Sequence, residues 1–258
     1  MKIVVLVKEV PDTYGDRKLS LETGLADRGA SDKVLDEIGE RALEVALAYA
    51  DANEGTEIVV VSAGPEESAT TIRKGLAMGA DSAVQIADAG LTGADMGLTS
   101  RVLAAALTRT GFDLVIAGNQ STDGGGGMIA TMVAELLDLP QLTGLSSVEI
   151  AADKVSGTRQ VDGATMQVTS ALPAVISITE AMPDARFPNF KGIMAAKKKP
   201  FETLTLSDLG LDPEDHSYAY SINVAVSEKP PREAGVKIFD EGDAGQKLAD
   251  FLAQNRLV

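Results

Sequence analysis

Four adjacent glycines, Gly124, Gly125, Gly126 and Gly127, interrupt two apolar runs and constrain the fold more than any other feature of the chain. They lie within residues 114–137, LVIAGNQSTDGGGGMIATMVAELL. Residues 113–117 read as a buried strand that breaks at Gly118. From Met128 onward, Met128, Ile129, Met132, Val133, Leu136 and Leu137 recur at helical spacing, so a helix begins at or inside the glycines. Strand, glycine loop and helix in that order suit an anion. Glycine lets the backbone approach a phosphate, and the free N–H groups of a first helical turn point at it. The same pattern also occurs as a plain connection. Gly125, Gly127 and Ala130 fit the G-x-G-x-x-G/A dinucleotide spacing, but adjacent glycines meet many spacings by accident, and that fingerprint normally follows a domain's first strand, not its fourth.

The surrounding pattern is βαβα. Residues 2–7, 57–61, 83–86 and 113–117 read as strands, and residues 36–53, 67–78 and 95–110 as helices. Continuous apolar strands alternating with helices predict an α/β fold with a doubly wound, mainly parallel sheet. Ligands in such sheets bind beyond the carboxyl ends of the strands, where strand order switches. Residues 7–12 and 118–127, after strands one and four, are expected to meet there. The polar segment 8–33 is too long for an ordinary connection and reads as either disordered or employed at a site or interface. Beyond Pro140, residues 147–150, 160–161, 166–169 and 174–179 read as an antiparallel extension, with Asp162-Gly163 as a hairpin turn.

Composition narrows the chemistry. The chain has no cysteine, which excludes disulfides, thiolate nucleophiles and Cys-based metal sites. Its one histidine, His216, sits in the polar string DPEDHS and reads as a solvated loop residue. With 23 basic against 38 acidic residues, the net charge of −15 opposes binding to nucleic acid. No secretory signal pattern precedes the first strand, and no run reaches the ~18–20 apolar residues of a span. A cytoplasmic protein without direct membrane insertion is expected. No G-x-x-x-x-G-K-[ST] is present and no basic residue lies within the glycine loop, which disfavours an ATP-binding enzyme or sensor.

Residues 181–199, AMPDARFPNFKGIMAAKKK, show no regular period and gather Phe187 and Phe190 with Arg186, Lys191 and Lys197 to Lys199. Two readings stand: a solvated turn leading to a lysine-rich helix end, or a docking loop with an aromatic anchor. Residues 200–258 carry Pro230-Pro231, little core pattern and one final helix near 244–254, which suits wrapping a partner.

Several stretches together are similar to one family. They are KIVVLVKEVPD at 2–12, LDEIGERALEVAL at 35–47, VSAGP at 61–65, TIRKGLAMGAD at 71–81 and GNQSTDGG from Gly118. To these are added Arg159, Asp162 and Gly163 before LPAV at 172–175, and IMAAKKK at 193–199. This set resembles the β subunit of the electron transfer flavoproteins over nearly the whole chain.

The resemblance implies a heterodimer with an α subunit that holds most of an FAD, while this chain binds AMP and docks dehydrogenases. It places AMP contacts on Leu6, on Asp36, Glu37, Ile38 and Gly39, on Ala63, and on Asp123 to Ala134. That last group comprises Asp123, the four glycines, Met128, Ile129, Ala130, Thr131 and Ala134. The flavin-facing position falls near Thr13 and Tyr14. Docking falls on Arg186, Phe187, Phe190, Lys191, Ile193 and Met194, with Phe190 as anchor. Implied partners are acyl-CoA or other flavin dehydrogenases and a quinone oxidoreductase or equivalent acceptor. A second FAD in place of AMP, as in an electron-bifurcating relative, is the alternative. Asp36-Glu37-Ile38 replaces an Asn-Pro-aromatic string common in relatives, and an acid there repels a phosphate unless it faces the adenine or ribose. Residues 1–200 are expected to form the nucleotide-binding domain, including the loop 181–199, with 201–258 as an arm packing on the partner subunit.

Overall fold

The computed structural model describes all residues except Asp16 and Val236. The side chain of His216, and with it the loop reading of that residue, lies outside the described residues. Residues Met1–Ala225 form one compact unit and Val226–Val258 a second.

In the first unit the chain begins with β1 (Lys2–Leu6), β2 (Glu9–Pro11), β3 (Lys33–Leu35) and α1 (Glu37–Ala52). It continues through β4 (Glu57–Ala63), α2 (Ala69–Met78), β5 (Ser82–Ile86), α3 (Met96–Thr110), β6 (Leu114–Gly118) and α4 (Ile129–Leu136). Then follow β7 (Gln141–Ile150), β8 (Lys154–Val161), β9 (Ala164–Ala171), β10 (Ala174–Ile178), α5 (Phe190–Ala196) and β11 (Phe201–Leu204). Among the described residues the main sheet has nine strands in the order β11-β5-β4-β1-β6-β10-β7-β8-β9.

The central strands are buried on both faces because their side chains alternate between two cores. Ile3, Val5, Ile58, Val60 and Ile116 point into a layer shared with Leu43 and Leu47 of α1 and Ile72 and Leu76 of α2. Val4, Leu6, Val59, Val61 and Val115 point the other way, onto Val102 and Leu107 of α3 and Val133 of α4. The fold is therefore the doubly wound α/β sheet expected from the strand composition.

Three features differ from the sequence reading. β10 is parallel to both neighbours, β6 and β7, so only β7, β8 and β9 supply the antiparallel extension. AVISI is buried at every position and apolar at all but Ser177, whose hydroxyl accepts from Gly144 N–H at 3.0 Å, which suits an interior strand and not an edge. Second, residues 190–196 of the aperiodic segment form α5, with Asn189 as its N-cap, its side chain accepting from Gly192 N–H at 2.8 Å. Third, β11 pairs with β5, so the compact unit runs past residue 200 to Ala225. The long segment after β1 is closed at its base by the antiparallel β2–β3 pair.

The second unit contains α6 (Ala244–Gln254), which has no buried residue. No helix among the described residues is long and apolar enough to cross a membrane.

Candidate functional site

From β1 the chain proceeds outward through β4 and β5, then returns to lay β6 on the other side of β1. The switch in strand order thus falls between β1 and β6, and in such sheets ligands bind beyond the carboxyl ends of the strands at this point. Three segments converge there: Lys8 after β1, Asp36 before α1, and the loop 119–128 after β6.

Asp36 ties them together. Its backbone N–H donates to the Lys8 carbonyl at 2.9 Å, and its Oδ2 accepts from Thr122 N–H at 2.9 Å. The carboxylate is thus turned to the glycine loop's backbone, which is how an acid is accommodated at this position. Burial raises the Asp36 pKa, with Asp123 nearby adding to the rise and the Thr122 bonds opposing it, and Oδ1 is buried with no hydrogen-bond partner among the described residues.

The loop carries its own cation, supplied from elsewhere in the chain. Lys8 Nζ lies 2.7 Å from Asp123 Oδ1, the same oxygen that accepts from Gly124 N–H at 2.6 Å. Arg17 donates to the Thr122 carbonyl, to Thr122 Oγ1 at 3.3 Å and to the Pro11 carbonyl at 3.2 Å. Lys8 lies in the segment 7–12 expected to meet the loop, but it was not named as a site residue, and Arg17 was not expected at all. Reading the loop alone gave no sign of either cation.

Gly125 and Gly127 have φ of 61° and 65°, the left-handed region that glycine enters without strain. Gly125 N–H bonds back to Ser121, whereas the N–H groups of Gly126, Gly127, Met128, Ile129, Ala130 and Thr131 meet no acceptor among the described residues. These are the orphan donors of a helix start and the turn before it. The four glycines, Met128 and Glu37 are exposed; Ile129 and Thr131 are half-buried.

The remaining expected residues distribute unevenly. Leu6 is buried at the end of β1, and Ala63 ends the neighbouring strand β4. Ile38 packs so closely on β6 that a Cβ at Gly118 would stand 2.6 Å from it. Gly39, Ala130 and Ala134 are buried beneath the site, Ala130 and Ala134 in the core under α4. Thr13 and Tyr14 lie in an exposed turn, Tyr14 at 98% exposure.

Burial disfavours the Asp123 carboxylate, but Lys8, Ser121 and the Gly124 N–H outweigh it and lower its pKa below the ordinary 3.8. Its stabilisation is therefore complete above pH 3.8 and lost as pH falls through the depressed value. Asp36, shifted upward, has the opposite sign: its penalty is absent below pH 3.8 and sets in as pH rises through its folded value. Asp123→Asn is accordingly expected to unfold at lower temperature than the natural chain at pH 7, with the gap closing below pH 3.8. Thermal unfolding across pH checks this, and a gap independent of pH would assign the loss to packing.

A second cluster lies along α1. Arg186 donates through Nε and Nη2 to both carboxylate oxygens of Glu44, each at 2.8 Å, and through Nη2 to Asp51 at 2.8 Å. Its backbone N–H donates to Glu44 as well, at 3.0 Å. Glu44, then Asp51, hold the Arg186 pKa above its ordinary value. Arg41 donates to the Met182 carbonyl and to Asp184. Beyond this staple, Phe187 is 92% exposed and Phe190 79%, and Phe190, Ile193 and Met194 share one open face of α5 at helical spacing. Lys199 caps the end of α2, reaching the carbonyls of Leu76, Gly79 and Ala80.

The electron transfer flavoprotein domain model matches residues 23–209. The chain is 46% identical to the electron transfer flavoprotein subunit beta of Mycobacterium tuberculosis over 264 residues, covering 99% of each. It is 36% identical to the subunit of the same name from Bacillus subtilis over 216 residues, 83% of each. It is also 33% identical to the caffeyl-CoA reductase-Etf complex subunit CarD of Acetobacterium woodii, covering 91% of this chain and 90% of that one. The chain belongs to the electron transfer flavoprotein β-subunit family. It is a subunit of an electron carrier associated with flavin, and the β designation implies an α partner.

Proposed function

We propose that this β subunit binds AMP at the switch between β1 and β6, shares an FAD with a separate α subunit, and accepts electrons from dehydrogenases docked at the loop 181–199. The observation that carries the nucleotide reading is the run of unpaired N–H groups from Gly126 to Thr131, set beside Lys8 at the switch in strand order. A monophosphate fits this donor set. Backbone N–H groups can meet two or three oxygens, and the left-handed glycines leave the approach free of side chains. Leu6, Ala63 and Ile38 offer an apolar wall for the adenine. Asp36 and Asp123 act on the loop and on Lys8, and Ala134 supports α4 from the core. Turnover of ATP is disfavoured because Lys8 is already engaged by Asp123 and no cluster of metal-ligating side chains occurs among the described residues.

The flavin supplies reversible electron uptake when bound; this chain's part is to position it and to bring donors within reach. Thr13 and Tyr14, projecting from the turn after β2, are the groups offered to the flavin. Of the expected arm 201–258, the part outside the first compact unit, residues 226–258, forms the arm toward the α subunit, a reading supported by the open apolar residues Leu248 and Phe251 of α6. Acyl-CoA or similar flavin dehydrogenases, as in fatty acid β-oxidation, are the donors. A quinone oxidoreductase or equivalent acceptor takes the electrons, and the assembly works in the cytoplasm.

Mass spectrometry of nucleotides released from the denatured heterodimer tests this. One AMP and one FAD per heterodimer are expected. Two FAD would assign the site to a bifurcating carrier, and ATP hydrolysis by the pure chain would overturn the carrier reading.

A further inference from the structure

We infer that Arg186 is a positioning residue for docking, not a contact to the dehydrogenase, and that it works through Glu44 and Asp51 of α1; this rests on the docking reading above. The guanidinium is engaged by Glu44 in a two-point pair and by Asp51, and its side chain is 35% exposed against 18% for Glu44. To reach a partner it would have to leave both carboxylates and strand Glu44, which is mostly buried. A cation so committed has little left to offer an incoming surface.

What it does instead follows from the segment's other end. α5 is locked onto α2: a Cβ at Gly192 would lie 2.3 Å from the Ala77 carbonyl, so only glycine permits this approach. The Asn189 side chain fixes the first turn of α5. Between Arg186 and α5 stand only Phe187, Pro188 and Asn189, and Pro188 has little freedom in φ. Two open aromatic rings are thus held apart from the core on a span too short to rearrange, so less ordering entropy is lost on binding. The partner that fits is a protein with an apolar pocket for these rings and an acidic rim. The rim would face Lys191, Lys197 and Lys198, which have no ion-pair partner among the described residues.

The test uses the assembled heterodimer with Arg186→Gln, Glu44→Gln, the double variant and Phe190→Ala. The probe is an acyl-CoA dehydrogenase reduced by its own substrate. Arg186→Gln and Glu44→Gln are each expected to speed amide exchange over residues 187–192 about tenfold, and to raise KM for the heterodimer about tenfold while kcat stays within about twofold. The double variant should be no worse than Arg186→Gln by more than about twofold, because both changes break one clamp. If Arg186 touches the dehydrogenase itself, Glu44→Gln leaves exchange and KM unchanged while Arg186→Gln raises KM alone, and the inference is overturned. If Phe190→Ala leaves KM unchanged, the docking reading fails and takes the inference with it; a Phe190 effect without a Glu44 effect sinks the inference only.

Discussion

Gly127→Val is expected to empty the nucleotide site, lowering the AMP retained by the purified heterodimer more than tenfold. The residue has φ of 65°. An L-residue in that region costs about 1–2 kcal/mol and a β-branched one more, and each 1.4 kcal/mol is a factor of about ten. The loop can relieve the strain only by turning its backbone, which redirects the N–H groups of Gly127 and Met128 away from the phosphate. Gly126 is the informative comparison, because it is absent from the left-handed set and the nearest atoms to a Cβ there belong to the movable Met96 side chain, with Sδ at 2.5 Å. Gly126→Ala should therefore retain AMP to within about threefold, an adjustment of one flexible neighbour being cheap. Nucleotide released on denaturation and quantified by mass gives both numbers. Full occupancy in Gly127→Val would reduce the glycines to a plain connection.

The second large effect is expected at the docking edge. Phe190→Ala should weaken the encounter with a reduced dehydrogenase about thirtyfold, since truncating an aromatic anchor typically costs ~2 kcal/mol or more. Folding and flavin content should stay near those of the natural chain, because the ring is 79% exposed and the Asn189 cap uses only backbone of the next turn. Electron transfer from an acyl-CoA dehydrogenase, titrated with each heterodimer at fixed ionic strength, measures the difference. Unchanged affinity would return the segment to a solvated turn.

The architecture was legible where patterns are local. Apolar strands alternating with periodic helices announced the parallel sheet, and the glycines announced a loop opening onto a helix. Pairing was less accessible: β10 carries the interior signature in AVISI, yet its place between β6 and β7 depends on a return of the chain that periodicity does not encode. α5 was hidden because seven residues with an exposed apolar face resemble an aperiodic segment, although Asn189 stands at a capping position. At the candidate site, the glycine loop could be read but its electrostatics could not. Lys8 is 115 positions from Asp123 and Asp36 is 86 from Thr122, and only the sheet order brings them together. Arg186 looked available for the same reason, its carboxylate partners lying 142 and 135 positions away.

The placement of β10 and β11 bears on how the chain matures as it is made. Synthesis through β6 yields a four-strand sheet, β5-β4-β1-β6, whose two outer strands both have unpaired backbone along one side. β10 later covers β6 and β11 covers β5, so protection of both flanks waits until residue 204 has emerged. A nascent or truncated chain ending before Ala174 would expose two apolar edges, the kind of surface that recruits other strands and aggregates. The glycine loop would already be present in such a fragment, on a sheet not yet closed.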